Sequence, residues 1–212
     1  MAEPMTTAAN ISLVGGLLCL DFVNSVEGRL AQVQDDKLNS YAELLTWGEL
    51  AGLISKATRR RLLRLAAQRT EQARAVFAQA IEFREALYRI LAARLRNKPT
   101  KALDLAALNR ALARARPHER IEASGSTFGW TWQADDQDLD QVIWPIVRSA
   151  ADLLLSEQLS QVGICSNETC GWLFLDTSRN HSRRWCDMRD CGNRAKARRY
   201  YRRKRSALYS NR

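Results

Sequence analysis

Apolar side chains in this chain recur mostly at helical steps. Over residues 58–97, Leu62, Leu65, Ala66, Ala73, Val76, Phe77, Ala80, Ile81, Leu87, Tyr88, Leu91 and Leu95 follow three- and four-residue spacings. That pattern predicts a long helical region, punctuated by Pro99. Ser40 suits an N-cap for a helix over 41–51, with Leu44, Leu45 and Trp47 apolar and Gly52 at its end. A further helix is expected over 102–115, stopping before Pro117. Another is expected over 142–159, with Pro145 in its first turn or kinking it and Gly163 ending it. Two stretches read as β-hairpins instead. Ile11–Val23 is an apolar run with Gly15 and Gly16 at its turn, and Phe128, Trp130 and Trp132 alternate in a segment bracketed by Gly125 and Gly129. The pattern predicts a mainly α protein: a multihelical N-terminal domain with short β-hairpins over residues 1–162, then a small subdomain over 163–212.

At 212 residues the chain is long enough to bury a core, and 46% apolar with 26% charged residues excludes wholesale disorder and fibrous repeats. The net charge of +10 is unevenly placed. Residues 165–212 hold 13 Lys/Arg and 4 Asp/Glu, a net of +9, which leaves 20 against 19, a net of +1, for the first 164. Charge localised in this way points to a polyanionic partner. Four of the five cysteines lie in the same segment. The run 11–20 is too short to span a membrane. Glu3 rather than Lys or Arg precedes it and no small-x-small site follows, so no export signal and no membrane partner are expected. The expected compartment is the cytoplasm, where clustered cysteines favour a metal over disulfides. Asp135, Asp136, Asp138 and Asp140 loosely match a calcium loop. Gln141 stands where its glycine belongs and Val147 where its bidentate Glu belongs, so these carboxylates are read as helix-start residues.

The cysteine spacing is Cys165-x4-Cys170-x15-Cys186-x4-Cys191. Two close pairs separated by a hairpin-length segment suit one tetrahedral thiolate zinc site. Trp172–Leu175 and Arg184-Trp185 have the character of the strands between the pairs. Four protein ligands leave no open position for water, so one structural Zn²⁺ is expected. Its removal should unfold the C-terminal part and spare the N-terminal one. Cys19, alone in an apolar run, reads as a small core residue.

A basic helix is expected after Cys191. Eight of the twelve residues from Arg194 to Arg205 are basic. Helical spacing puts Arg194, Arg198, Tyr201, Arg202 and Arg205 on one face, and Lys196, Arg199 and Arg203 on a second stripe. Arg183 and Arg184, with Arg179, lie between the cysteine pairs, placed to reach the same surface. Asn193 either reads a base or bonds a backbone group beside the zinc ligand. Four thiolates and Zn²⁺ contribute −2, so the subdomain keeps about +7, a footprint suited to a phosphate backbone. Arg194, Lys196, Arg198 and Arg199 lie nearest the metal anchor and are the candidates for base reading, while Arg202 to Arg205 are candidates for phosphate contact. Trp172 and Trp185 are read as cover for the zinc core ahead of stacking partners for bases.

These residues carry a resemblance. Cys165, Cys170-Gly171-Trp172-Leu173-Phe174-Leu175-Asp176-Thr177-Ser178-Arg179-Asn180, Arg183-Arg184-Trp185-Cys186 and Cys191-Gly192-Asn193-Arg194-Ala195-Lys196 closely resemble the CGNR zinc-finger family, named for the tetrapeptide at 191–194. Leu20-Asp21-Phe22-Val23-Asn24-Ser25, with Tyr41, Leu44, Leu45 and Trp47 downstream, is similar to the ABATE domain that accompanies that finger. The resemblance covers nearly the whole chain. It implies a stress-induced bacterial transcription regulator with a mainly helical, signal-sensing N-terminal domain and a finger that binds nucleic acid. An RNA-binding role is also associated with such proteins.

The sequence has no P-loop, nucleophile elbow, zincin motif or dinucleotide fingerprint, and its two histidines, His118 and His181, fall in polar segments. An enzyme is therefore not expected. Asp21, Asn24 and Arg29, with Trp47 or Tyr88, are a candidate pocket for a small-molecule effector, against the alternative that Asp and Asn merely cap turns. The expected function is a zinc-dependent DNA-binding transcription regulator. A homodimer would suit the weak grip of a single finger. An RNA-binding module, and an adaptor whose basic finger docks on an acidic protein, stay open.

Overall fold

The computed structural model describes residues 7–210, with side chains except at 203 and 205–210. Among them are seven α-helices and three two-stranded antiparallel hairpins, so the molecule is mainly α. Helix α1 (Leu18–Val23) buries Cys19, Leu20, Phe22 and Val23. The hairpin expected over Ile11–Val23 does not form. Gly16, at φ +84°, turns the chain into a helix start, and the Asp21 carboxylate accepts from the Gly15 N–H at 2.7 Å. So short an apolar run has no decisive period, and helix and strand satisfy it equally until packing decides.

A loop closed by β1 (Val26–Glu27) and β2 (Asp35–Asp36) leads to α2 (Tyr41–Leu50), whose cap is the expected one: the Ser40 hydroxyl accepts from the Glu43 N–H at 3.2 Å. The long helical region is two helices, α3 (Lys56–Gln68) and α4 (Thr70–Leu95), broken at Arg69 (φ −127°, ψ 55°). The break lets both helices pack on α2, with Leu62 and Leu65 in the core. The apolar spacing continues across Arg69, which hides the break from a periodicity reading. Helix α5 (Ala102–Ala115) packs on α4 and on α6 (Trp144–Leu155), which has Pro145 in its first turn. Between them β3 (Glu119–Ser124) and β4 (Thr127–Trp132) form the second hairpin, turned at Gly125 (φ +62°).

Gly163 does not end α6. That helix stops at Leu155, and a 3₁₀ turn over Glu157–Gln161 leads into β5 (Val162–Ile164), which pairs with β6 (Leu173–Leu175). Gly163 lies within β5 because a Cβ there would come within 2.8 Å of the Phe174 ring. After a π-type turn over Met188–Gly192 comes α7 (Asn193–Ser210). The core built on Phe22, Trp47, Phe83 and Trp144 continues through Val162, Leu173, Phe174 and Leu175 to Cys165, Cys186 and Cys191. Among the described residues, no helix is long and apolar enough to cross a membrane.

Candidate metal centre and nucleic-acid interface

Each cysteine pair sits on a closed turn. The Cys170 N–H donates to Asn167 O at 3.1 Å, and the Gly192 N–H donates to Asp187 O at 3.0 Å. The loops are stitched together by Cys165 N to Trp172 O (2.8 Å) and Ser166 N to Arg184 O (2.8 Å). The four Sγ atoms converge to within 4.8 Å of one another, and Cys170 Sγ lies 3.7 Å from Cys186 Sγ. A tetrahedron with Zn–S bonds of about 2.3 Å has edges of about 3.8 Å, so this donor set fits zinc. Cys165, Cys186 and Cys191 are buried and Cys170 is half-buried. Hydrogen bonds from the Cys170, Cys186 and Cys191 thiols hold the Cys165 thiol far below the usual range, against the opposing effect of burial. The cysteines therefore form a single zinc site, in which the metal would hold the loops as a structural ion. Cys19 is the expected core residue: it is fully buried, and burial pushes its thiol up to about 11.

The finger docks on the segment that includes Leu20–Ser25. Asn24 is fully buried, and its amide acts as a strand partner: Nδ2 donates to Leu173 O at 2.8 Å, and Oδ1 accepts from Leu173 N at 2.9 Å. Trp172 Nε1 donates to Val26 O at 2.8 Å, and the Arg29 N–H donates to Cys170 O at 2.9 Å. Gly171, at φ +72°, permits this approach, since a Cβ there would fall 2.8 Å from Leu30 Cγ. The Arg29 guanidinium donates to Val23 O (Nη2, 2.8 Å), pairs with Glu85 at 2.8 Å and lies 4.2 Å from the Tyr88 ring centroid. Burial raises the Glu85 pKa, but Arg29 and then Arg84 outweigh it and hold the carboxyl below its ordinary value. Asp21, Asn24 and Arg29 are thus joined to backbone and to Glu85, and do not line the effector pocket read from the sequence. Trp47 is sealed in the core against Phe22, 5.2 Å between centroids. Nearby open space lies elsewhere: a cavity of about 270 Å³ between the 27–35 loop and the finger.

At the start of α7, Asn193 Nδ2 donates to Arg189 O at 2.9 Å, the backbone role among its two alternatives. Arg194 pairs with Asp190 at 2.5 Å, and both of them and Lys196 are exposed. A residue that sequence reasoning missed links metal and helix. Asn167, 1% exposed, donates from Nδ2 to Cys191 Sγ at 3.3 Å and accepts at Oδ1 from Arg198 Nη2 at 3.1 Å. Its only signal was an amide two residues after a zinc ligand in a tight turn. Arg184, Arg198, Arg199 and Arg202 line one groove of about 600 Å³ with Trp185 and Tyr201. Arg199 therefore joins Arg198 and Arg202 instead of standing on a separate stripe. Arg183 is not on this surface. It donates to the carbonyls of Leu175 (3.1 Å), Trp185 (3.0 Å), Val14 (3.0 Å) and Cys186, with its guanidinium 4.5 Å from the Phe174 ring centroid. Its five-donor fork closes the loop between the cysteine pairs. The side chains of Arg203 and Arg205 lie outside those described.

The fold and the site define a zinc-finger protein in which a helical domain and the cysteine-bearing loops share a core, and an exposed basic helix leads out from those loops. Residues 16–157 match the ABATE family, described as "Putative stress-induced transcription regulator", and residues 161–204 match the CGNR zinc finger. The chain belongs to the ABATE family and carries a CGNR finger. No curated protein matches it significantly.

Proposed function

We propose that this protein is a zinc-dependent, cytoplasmic transcription regulator that binds DNA through its finger, with α7 laid along the phosphate backbone. One observation carries the reading: Asn167 ties a zinc-ligating sulfur to Arg198, so α7 leaves the metal site in a set direction with its arginines grouped. The aromatic lining of the groove favours a second reading, an RNA-binding module.

The test is zinc-loaded protein titrated against random duplex-DNA and random RNA pools at two salt concentrations, with sequencing of what is retained. Enrichment of a duplex motif supports the DNA regulator, and retention of RNA alone supports the second reading. In the same assay, Arg199→Gln is expected to weaken binding to all sequences alike and to lower the salt slope by about one. Retention of neither pool would sink both readings and leave an acidic protein as the finger's partner.

A further inference from the structure

The groove beside α7 holds more than positive charge. One wall is the cysteine-bearing loops, with Glu168, Arg184 and Trp185; the other is α7, with Arg198, Arg199, Tyr201 and Arg202. Ala195 also lines it, and its small side chain leaves depth where a longer one would fill it. The volume, about 600 Å³, is in the range of a small-molecule pocket. Tyr201 is exposed, and the Arg184 guanidinium lies 5.4 Å from the Trp185 ring centroid.

This combination discriminates between forms of nucleic acid. A duplex offers base edges and a convex backbone, while its base faces stay covered by stacking. Aromatic and guanidinium planes that line one groove together suit the exposed face of an unstacked base, which stacks on them as a duplex base edge cannot. Four arginines on the lining supply donors for the flanking phosphates. Glu168 repels phosphate, but as an acceptor it can take a hydrogen bond from a base amino group.

We propose that this groove is a binding site for an unpaired nucleotide, its base stacked against Trp185 and Tyr201 and its phosphates held by Arg184, Arg198, Arg199 and Arg202. The proposal rests on the nucleic-acid reading above and narrows it to targets with a single-stranded or extruded nucleotide. DNA and RNA both offer that chemistry.

The experiment uses full-length, zinc-loaded protein and fluorescence anisotropy. The probes are a dye-labelled oligodeoxycytidylate, the matching RNA and a duplex hairpin of equal phosphate count. Single strands are expected to bind more tightly than the duplex and to quench tryptophan fluorescence, and the two single-stranded arms tell DNA from RNA. Tyr201→Ala should weaken single-strand binding by about 5- to 150-fold, the value of one base–aromatic stack, with duplex binding changed less than about twofold. Tyr201→Phe should restore it. Trp185→Leu, accepted only if zinc content is unchanged, should act like Tyr201→Ala. Equal or tighter duplex binding, or aromatic variants that change nothing or weaken both forms alike, would overturn the nucleotide site and leave the DNA-binding reading intact. No binding to any probe would sink both.

Discussion

A buried amide must have its donors and acceptor met, and Asn24 meets both through one residue, Leu173. Asn24→Leu keeps the volume but leaves the Leu173 N–H and C=O unpartnered. It is expected to destabilise by about 2–4 kcal/mol, read as a lower urea midpoint at unchanged slope. Asn167 has the same chemistry beside the metal. Asn167→Ala is expected to lower zinc affinity by about 10- to 100-fold in a chelator competition. Asp21 gives a pH signature. Burial pushes its pKa up to about 6, against the lowering effect of the Gly15 N–H, so the folded chain holds that proton more tightly than the unfolded chain does. Its stabilising contribution is then fully present below about pH 4 and lost as pH rises through about 6. Asp21→Asn, which can still accept from Gly15, should remove this part of the pH–stability curve and raise stability at pH 7. Parallel wild-type and variant curves would show that the carboxyl is not perturbed.

At the scale of elements, local signals succeeded where helix period, cap and breaker agreed. The helices α2 and α5 are of this kind, with Ser40 capping the first and Pro117 following the second. They failed where packing chose between states of similar local energy. The run 11–23 became a glycine-led helix, and the break at Arg69 was hidden inside a continuing period. A glycine after an apolar helix signals a C-cap, but Gly163 instead clears space for the Phe174 ring within β5. Gly163→Ala is therefore expected to lower the melting temperature through overpacking, at about 1–3 kcal/mol. A variant melting with the wild type would mean that the ring moves aside freely.

At the scale of the whole molecule, the finger is not an appendage. Its strand β6 is buried, and Leu175 N bonds Gly15 O at 2.8 Å while Leu173 bonds Asn24. Metal removal should therefore loosen more than the finger, contrary to the expectation that the N-terminal part would be spared. Hydrogen exchange after chelation is expected to show faster exchange in α1 and around Asn24 as well as in the finger. Protection lost from residues 163–210 alone would argue that the dock holds without zinc.

The mainly helical content, the four zinc ligands and the concentration of charge before Arg212 were legible in the linear sequence. Helical period, ligand spacing and net charge are properties of residue order, and they survive any packing that keeps the elements intact. Only the tertiary structure decided what individual polar side chains do. Asp21, Asn24, Arg29 and Arg183 carry the same groups a binding site would use, but their partners are mostly backbone atoms, several brought close only by folding; Asn24 and Leu173 are 149 residues apart. Asn167 matters for the opposite reason: folding sets its amide between a sulfur and an arginine that are seven residues apart in α7 and the turn before it. Chemistry fixes what a side chain can bond, and only the fold determines which partner arrives.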